Sequence, residues 1–130
     1  MRTILAMLLS LGLSAAVPCQ KLSTPEEAIG RIINSGLLEG HDQKLIGGMG
    51  DAAAVIVTKV VGERQLTTGQ MDAVLLVLNS AFADVRPMAE LEPRTALFVL
   101  QYLELSTKDP QLKERIARTR EYIREQYKKK

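Results

Sequence analysis

Thr67-Thr68-Gly69-Gln70-Met71-Asp72-Ala73-Val74-Leu75-Leu76-Val77-Leu78-Asn79-Ser80-Ala81-Phe82 decides the fold class. Thr67 and Gln70 stand at the spacing at which a hydroxyl and an amide side chain reciprocally satisfy the free N–H groups of a helix start. Met71, Val74, Leu75, Leu78, Ala81, Phe82 and Val85 then recur at three- and four-residue steps, which lays them along one face of a helix. Arg86-Pro87 predicts its end, because the proline ring disfavours helical geometry in the residue before it.

The same helix signals repeat on both sides of this stretch. Upstream, Asp51 is a good cap for a helix over Ala52 to Val61 that ends at Gly62 and is apolar on nearly every face. Thr24-Pro25-Glu26-Glu27 opens an earlier helix with the buried stripe Ala28, Ile29, Ile32 and Ile33, stopped by Gly36. Asp42 to Ile46 allows one more short turn. Downstream, Pro93 opens a helix in which Ala96, Leu97, Phe98, Val99, Leu100, Leu103 and Leu105 cover more than one face, which predicts a central position. Asp109-Pro110 starts the last helix, with the narrower stripe Leu112, Ile116, Thr119, Ile123 and Tyr127. No stretch alternates cleanly and no Asn-Gly or Asp-Gly hairpin signal occurs, so the fold class is all-α, about five helices forming stacked antiparallel helical hairpins.

The helix beginnings at Asp51 and Pro93 lie 42 residues apart, as do those at Thr67 and Asp109. A short apolar helix followed by a longer amphipathic one is therefore repeated, with Thr24 to Ile46 as a shortened leading pair. Gly47-Gly48-Met49-Gly50-Asp51-Ala52-Ala53-Ala54-Val55 resembles the lead-in to the first helix of a HEAT-like repeat, a likeness that extends over residues 24 to 127. The resemblance implies a small α-solenoid whose first helices are scaffold and whose second-helix faces meet a partner protein. The chain lacks a proline inside the first helix and a regular Asp and Arg ladder, so a compact helical bundle is the alternative. The chain also resembles small secreted helical proteins of unassigned function, which implies no activity.

Arg2, the apolar run Ile4 to Leu13 and the small residues Ser14-Ala15-Ala16 form a secretory signal pattern over residues 1–16, predicting an exported protein, periplasmic or secreted. Residues 17–23 would then be a flexible mature terminus and 24–130 a single all-helical domain. Cys19 raises the question of a lipid anchor, but Ala16-Val17-Pro18 before it departs from a lipobox, so the expectation is a free thiol able to pair with another chain.

The chain has 130 residues, 46% of them apolar, with no Trp, two Phe and three Tyr, so aliphatic side chains must make the core of one small domain. One cysteine excludes an internal disulfide and one histidine excludes a histidine-rich metal site. Gly47, Gly48 and Gly50 precede a helix, but Asp51 would repel a phosphate and no Gly-Lys-Ser/Thr follows; a tight turn is expected. His41-Asp42 has no second histidine or cysteine pair beside it, which favours a capping or solvated loop histidine. Glu26 with Glu27 reads as capping and Glu90 with Glu92 as a connection, rather than as carboxylates held across a glycosidic bond. No Gly-x-Ser-x-Gly elbow surrounds a serine, so catalysis is not expected and no cofactor is implied.

Charge is divided along the chain: residues 108–130 carry nine Lys or Arg against four Asp or Glu, whereas residues 17–107 carry seven against eleven. Lys113, Arg115, Arg118, Arg120 and Arg124 form a candidate basic face for an acidic partner or an anionic membrane, beside the plainer expectation of a solvated helix face. Nucleic acid is not expected, since aromatic residues are not interleaved with the basic ones. The sequence thus predicts a non-catalytic exported interaction or scaffold module. The alternatives are a bundle holding a small apolar ligand between Val57, Met71, Leu75, Phe98 and Tyr102, and a hydrolase built around His41.

Overall fold

The computed structural model describes residues 24–83 and 93–128, which form six helices and no strand. Helix α1 is Pro25–Ser35, α2 Gly40–Ile46, α3 Asp51–Val61, α4 Thr68–Ala81, α5 Arg94–Ser106 and α6 Pro110–Lys128. The all-α expectation holds, and the short turn after Gly36 is a helix of its own. The signal pattern, Cys19, Val85, Arg86-Pro87, Glu90 and Glu92 lie outside the described residues.

Local chemistry sets most of the boundaries. At α1 the Thr24 hydroxyl accepts from the Glu27 N–H at 3.1 Å while the Glu27 carboxylate accepts from the Thr24 N–H at 3.0 Å. At α4, Thr67 and Gln70 exchange the same pair of bonds at 3.1 and 3.0 Å. Each such cap contributes about 1 kcal/mol. Gly36, with φ +78°, and Gly62, with φ +59°, end α1 and α3 in conformations that a Cβ disfavours. Asp109 accepts from the Gln111 N–H at 3.0 Å, starting α6 beside Pro110.

Helices α1, α3 and α5 pack side by side in one layer and α2, α4 and α6 in a second. Within each sequential pair the two helices also pack together, and α1 lies across α4 as well. The layers share one apolar core, in which Ile29, Ile32, Val57, Leu78, Leu100 and Ile116 are almost wholly removed from water. Burying an aliphatic side chain of this size stabilises the fold by about 1.5–3 kcal/mol. Phe82 and Tyr127 meet at a ring-centroid distance of 6.1 Å, tying α6 to the end of α4.

The glycine cluster closes the junction between the layers. The N–H groups of Gly48 and Gly50 both donate to the Ala81 carbonyl, at 3.1 and 3.0 Å, so the turn before α3 satisfies the end of α4. Gly48 and Gly50 have φ values of +84° and +59°, which is why glycine occupies these positions. The expected tight turn is present and is also a tertiary clamp.

Two expectations are corrected. Asp51 does not cap its own helix: Gly50 is the N-cap, and the Asp51 carboxylate accepts instead from the Thr95 and Ala96 N–H groups at the start of α5, at 3.1 and 2.7 Å. A side chain at the first helical position points away from its own free donors, and the neighbouring helix start lies within its reach. Nor are α3 and α5 buried all round. Val55 is 41%, Tyr102 45%, Phe98 63% and Leu105 79% exposed, because α3 packs mainly on α1, α4 and α5, and α5 mainly on α3 and α6, which leaves one side of each uncovered among the described residues.

Candidate functional site

Two hollows flank α5 and share one side chain, Phe98. On the α3 side, Val57 and Val61 form one wall, Phe98, Val99 and Tyr102 the other, and Val74 from α4 contributes to the floor. The groove encloses about 390 Å³, with the Thr58 and Glu63 side chains among its few polar groups. A smaller hollow of about 250 Å³ continues it past Leu66 and Tyr102 to Met71 and Ser106. Of the residues expected around an apolar ligand, Val57, Phe98 and Tyr102 line the groove and Met71 the adjoining hollow. Leu75 faces elsewhere, into the hollow between α4 and α6. The site is an open groove rather than an internal cavity.

On the α6 side, Phe98 and Leu97 border a second cleft of about 490 Å³ lined by Arg94, Gln101, Glu104, Arg120 and Arg124. Arg120 donates to Glu104 at 2.6 Å, so the two charges offset each other. Arg94 and Arg124 are exposed and make no ion pair among the described residues. One wall of α5 thus faces an apolar groove and the other an arginine-lined cleft.

No family model, no curated protein and no solved structure matches this chain.

The residues of the candidate basic face are held in different directions. Arg115 reaches α4, where Nε and Nη2 each donate to Asp72 at 2.8 Å; these bonds push its pKa further up and hold it to the scaffold. Arg118 pairs with Glu114 at 3.1 Å along its own helix, and Arg120 is held against α5. Lys113 and Arg124 are exposed. Helical geometry sends residues 115 and 120 to opposite flanks of α6, so the five cations divide between α4, α5 and solvent.

His41 and Asp42 lie on α2 rather than in a loop. Asp42 is fully buried, accepts from the Glu39 N–H at 2.9 Å and binds the Arg31 guanidinium. Burial pushes its pKa up, but the Glu39 N–H, Arg31 and His41 outweigh burial and hold the carboxyl below its ordinary value. His41 is exposed, with Nε2 3.4 Å from Asp42 and Nδ1 3.6 Å from Glu39. Potential ligand atoms of Glu39, His41 and Asp42 fall within 4.8 Å of one another, yet Asp42 already joins α1 to α2 through Arg31. Glu27 is occupied by its cap.

The wider hollow between α4 and α6, about 520 Å³, is crossed by Asp72–Arg115 and by the Asn79–Thr119 hydrogen bond of 3.2 Å. Its polar groups largely bind each other. The site residue missed from sequence is Arg94, and the outward direction of Phe98, Tyr102 and Leu105 was missed as well. Their signal was the spacing of four and three residues on a helix that already had Ala96, Val99, Leu100 and Leu103 as its buried face.

Proposed function

We propose that this protein is a non-catalytic exported interaction module, built from HEAT-like helical hairpins, which receives an apolar helical segment of another protein in the groove between α3 and α5. The observation that carries this reading is the exposure of Phe98, 63%, beside a concave groove walled by Val57, Val61 and Tyr102. Water in such a groove is displaced at a gain of about 25 cal/mol per Å² of apolar surface covered, and amphipathic helices meet grooves of this kind through side chains three and four positions apart. The apolar walls of this contact surface lie mainly on the first-helix layer, not on the second-helix faces that the repeat resemblance implies. Export rests on Arg2, the run Ile4 to Leu13 and Ser14-Ala15-Ala16; no helix among the described residues is long and apolar enough to cross a membrane.

The test uses a fluorescent amphipathic peptide of about 16 residues, enough for a marginally stable helix, with Leu on one face and uncharged Gln and Ser on the other. Fluorescence anisotropy should show saturable binding to the full chain, weakened about tenfold or more by Phe98→Ser, as for an anchor at the centre of an interface. Absence of binding, or equal binding by Phe98→Ser and Tyr102→Ser, overturns the proposal.

A further inference from the structure

We infer that the segment received in this groove is an acidic amphipathic helix, lying along α5 with its apolar side over Phe98 and its carboxylates against Arg94 and Arg124. This rests on the interaction reading above and specifies the partner's chemistry and orientation.

Phe98 stands between the two hollows that flank α5. It borders both hollows, so a ligand covering it necessarily overlies the apolar groove and the arginine-lined cleft together. Arg94, Phe98, Gln101 and Leu105 follow one another at three- and four-residue steps and mark the outer face of α5. From Arg94 to Leu105 that face runs roughly 17 Å at 1.5 Å per residue, the length of a three-turn helix. Apolar side chains over Phe98, Tyr102 and Leu105 would thus recur once per turn in the partner.

Charge then sets the flank. The groups lining the α6-side cleft are Arg94, Arg120, Arg124 and Glu104. Arg120 and Glu104 bind each other at 2.6 Å, which leaves the charges of Arg94 and Arg124 to face a ligand. On the far side of Phe98 the groove is bordered by Glu63. An acidic strip on the ligand is attracted to the α6 flank and repelled from the Glu63 rim, so one orientation is selected. Guanidinium groups suit carboxylates because their planar donors bind both oxygens. Concavity argues against an anionic bilayer, since a flat surface leaves a groove of about 390 Å³ unfilled.

Three peptides of about 16 residues share the Leu face and carry Glu, Gln or Lys on one flank; they are titrated against the full chain and against Arg94→Glu/Arg124→Glu. The two arginines are exposed and unpaired among the described residues, so the double variant should retain the wild-type melting temperature. The Glu peptide should bind about tenfold tighter than the Gln peptide in dilute buffer. That preference should shrink severalfold near 0.5 M salt, where charges are screened within about 4–5 Å. The double variant should reverse the preference toward the Lys peptide. Equal binding of Glu and Gln peptides overturns this inference and leaves the interaction reading standing; no binding of any peptide overturns both. Binding to phosphatidylglycerol vesicles that requires Phe98 and is not displaced by the Glu peptide assigns the face to a membrane. Self-association in sedimentation that the Glu peptide does not reverse assigns it to a second copy. Either result overturns the inference.

Discussion

The Ala96 N–H donates to the Asp51 carboxylate at 2.7 Å across 45 residues of sequence, so the start of α3 caps the start of α5. Together with the bond from Thr95 at 3.1 Å, this one side chain satisfies two free donors of a helix that has no side-chain cap of its own. The exposed face of α5 is consequently oriented by α3, the helix that forms the opposite wall of the groove. Asp51→Ala should cost about 1–2 kcal/mol in urea unfolding and weaken peptide binding at the groove; Asp51→Asn, which keeps an acceptor, should lose less.

Gly62 and Gly40 offer a contrast between two glycines with open space around them. A Cβ would meet nothing within 4 Å at either, but Gly62 has φ +59° whereas Gly40 begins α2. Gly62→Ala should destabilise by about 1–3 kcal/mol through backbone strain. Gly40→Ala should be neutral or stabilise by up to about 1 kcal/mol, since it restricts the unfolded chain without straining the folded one. Urea midpoints of the two variants decide this.

Phe98 and Leu100 are two residues apart and opposite in burial, 63% and 0% exposed. Leu100→Ala should cost about 2–5 kcal/mol, while Phe98→Ser should leave stability within about 0.5 kcal/mol. Thermal unfolding of both variants checks the placement of α5. If Phe98→Ser were as damaging as Leu100→Ala, the outer face would be core.

Acid should weaken the α1–α2 junction. Burial raises the folded Asp42 carboxyl, but the Glu39 N–H, Arg31 and His41 together hold it below its ordinary value of 3.8. The unfolded chain therefore takes up this proton first as pH falls. The contribution of Asp42 is fully present above the unfolded value, and is lost as pH falls from there through the lower folded value. Urea midpoints followed from about pH 6 to about pH 2 should fall in the lower part of that range, and less steeply in Asp42→Asn than in the wild type. Arg31→Leu should cost toward the lower end of about 3–5 kcal/mol at neutral pH, because the buried Asp42 charge loses its guanidinium but keeps the Glu39 N–H and the nearby His41.

The helices were legible because their signals are local. Thr24 with Glu27, Thr67 with Gln70, Asp109 with Pro110, and the turn glycines Gly36 and Gly62 act over a few residues, and the observed boundaries follow them. The buried stripes Ala28, Ile29, Ile32, Ile33 and Leu112, Ile116, Thr119, Ile123 were equally legible, since each belongs to a helix with one apolar face.

On α3 and α5 the apolar residues do not single out one buried face. Apolar residues on every side tell which faces can be covered, not which faces have a neighbour. The position of α3 and α6 around α5 decided that Leu100 is dry and that Phe98 and Leu105 are wet. The partner of a charge is decided in the same way. Arg118 meets Glu114 at a helical spacing visible in sequence, whereas Arg115 with Asp72, Arg120 with Glu104 and Asp51 with Ala96 meet only once separate helices are packed. The caps at Thr24, Thr67 and Asp109 and the one-sided apolar stripes of α1 and α6 follow from neighbours one or two turns apart in the chain. Only tertiary packing decided the groove and its arginine flank, because both are made by side chains from helices far apart in the chain.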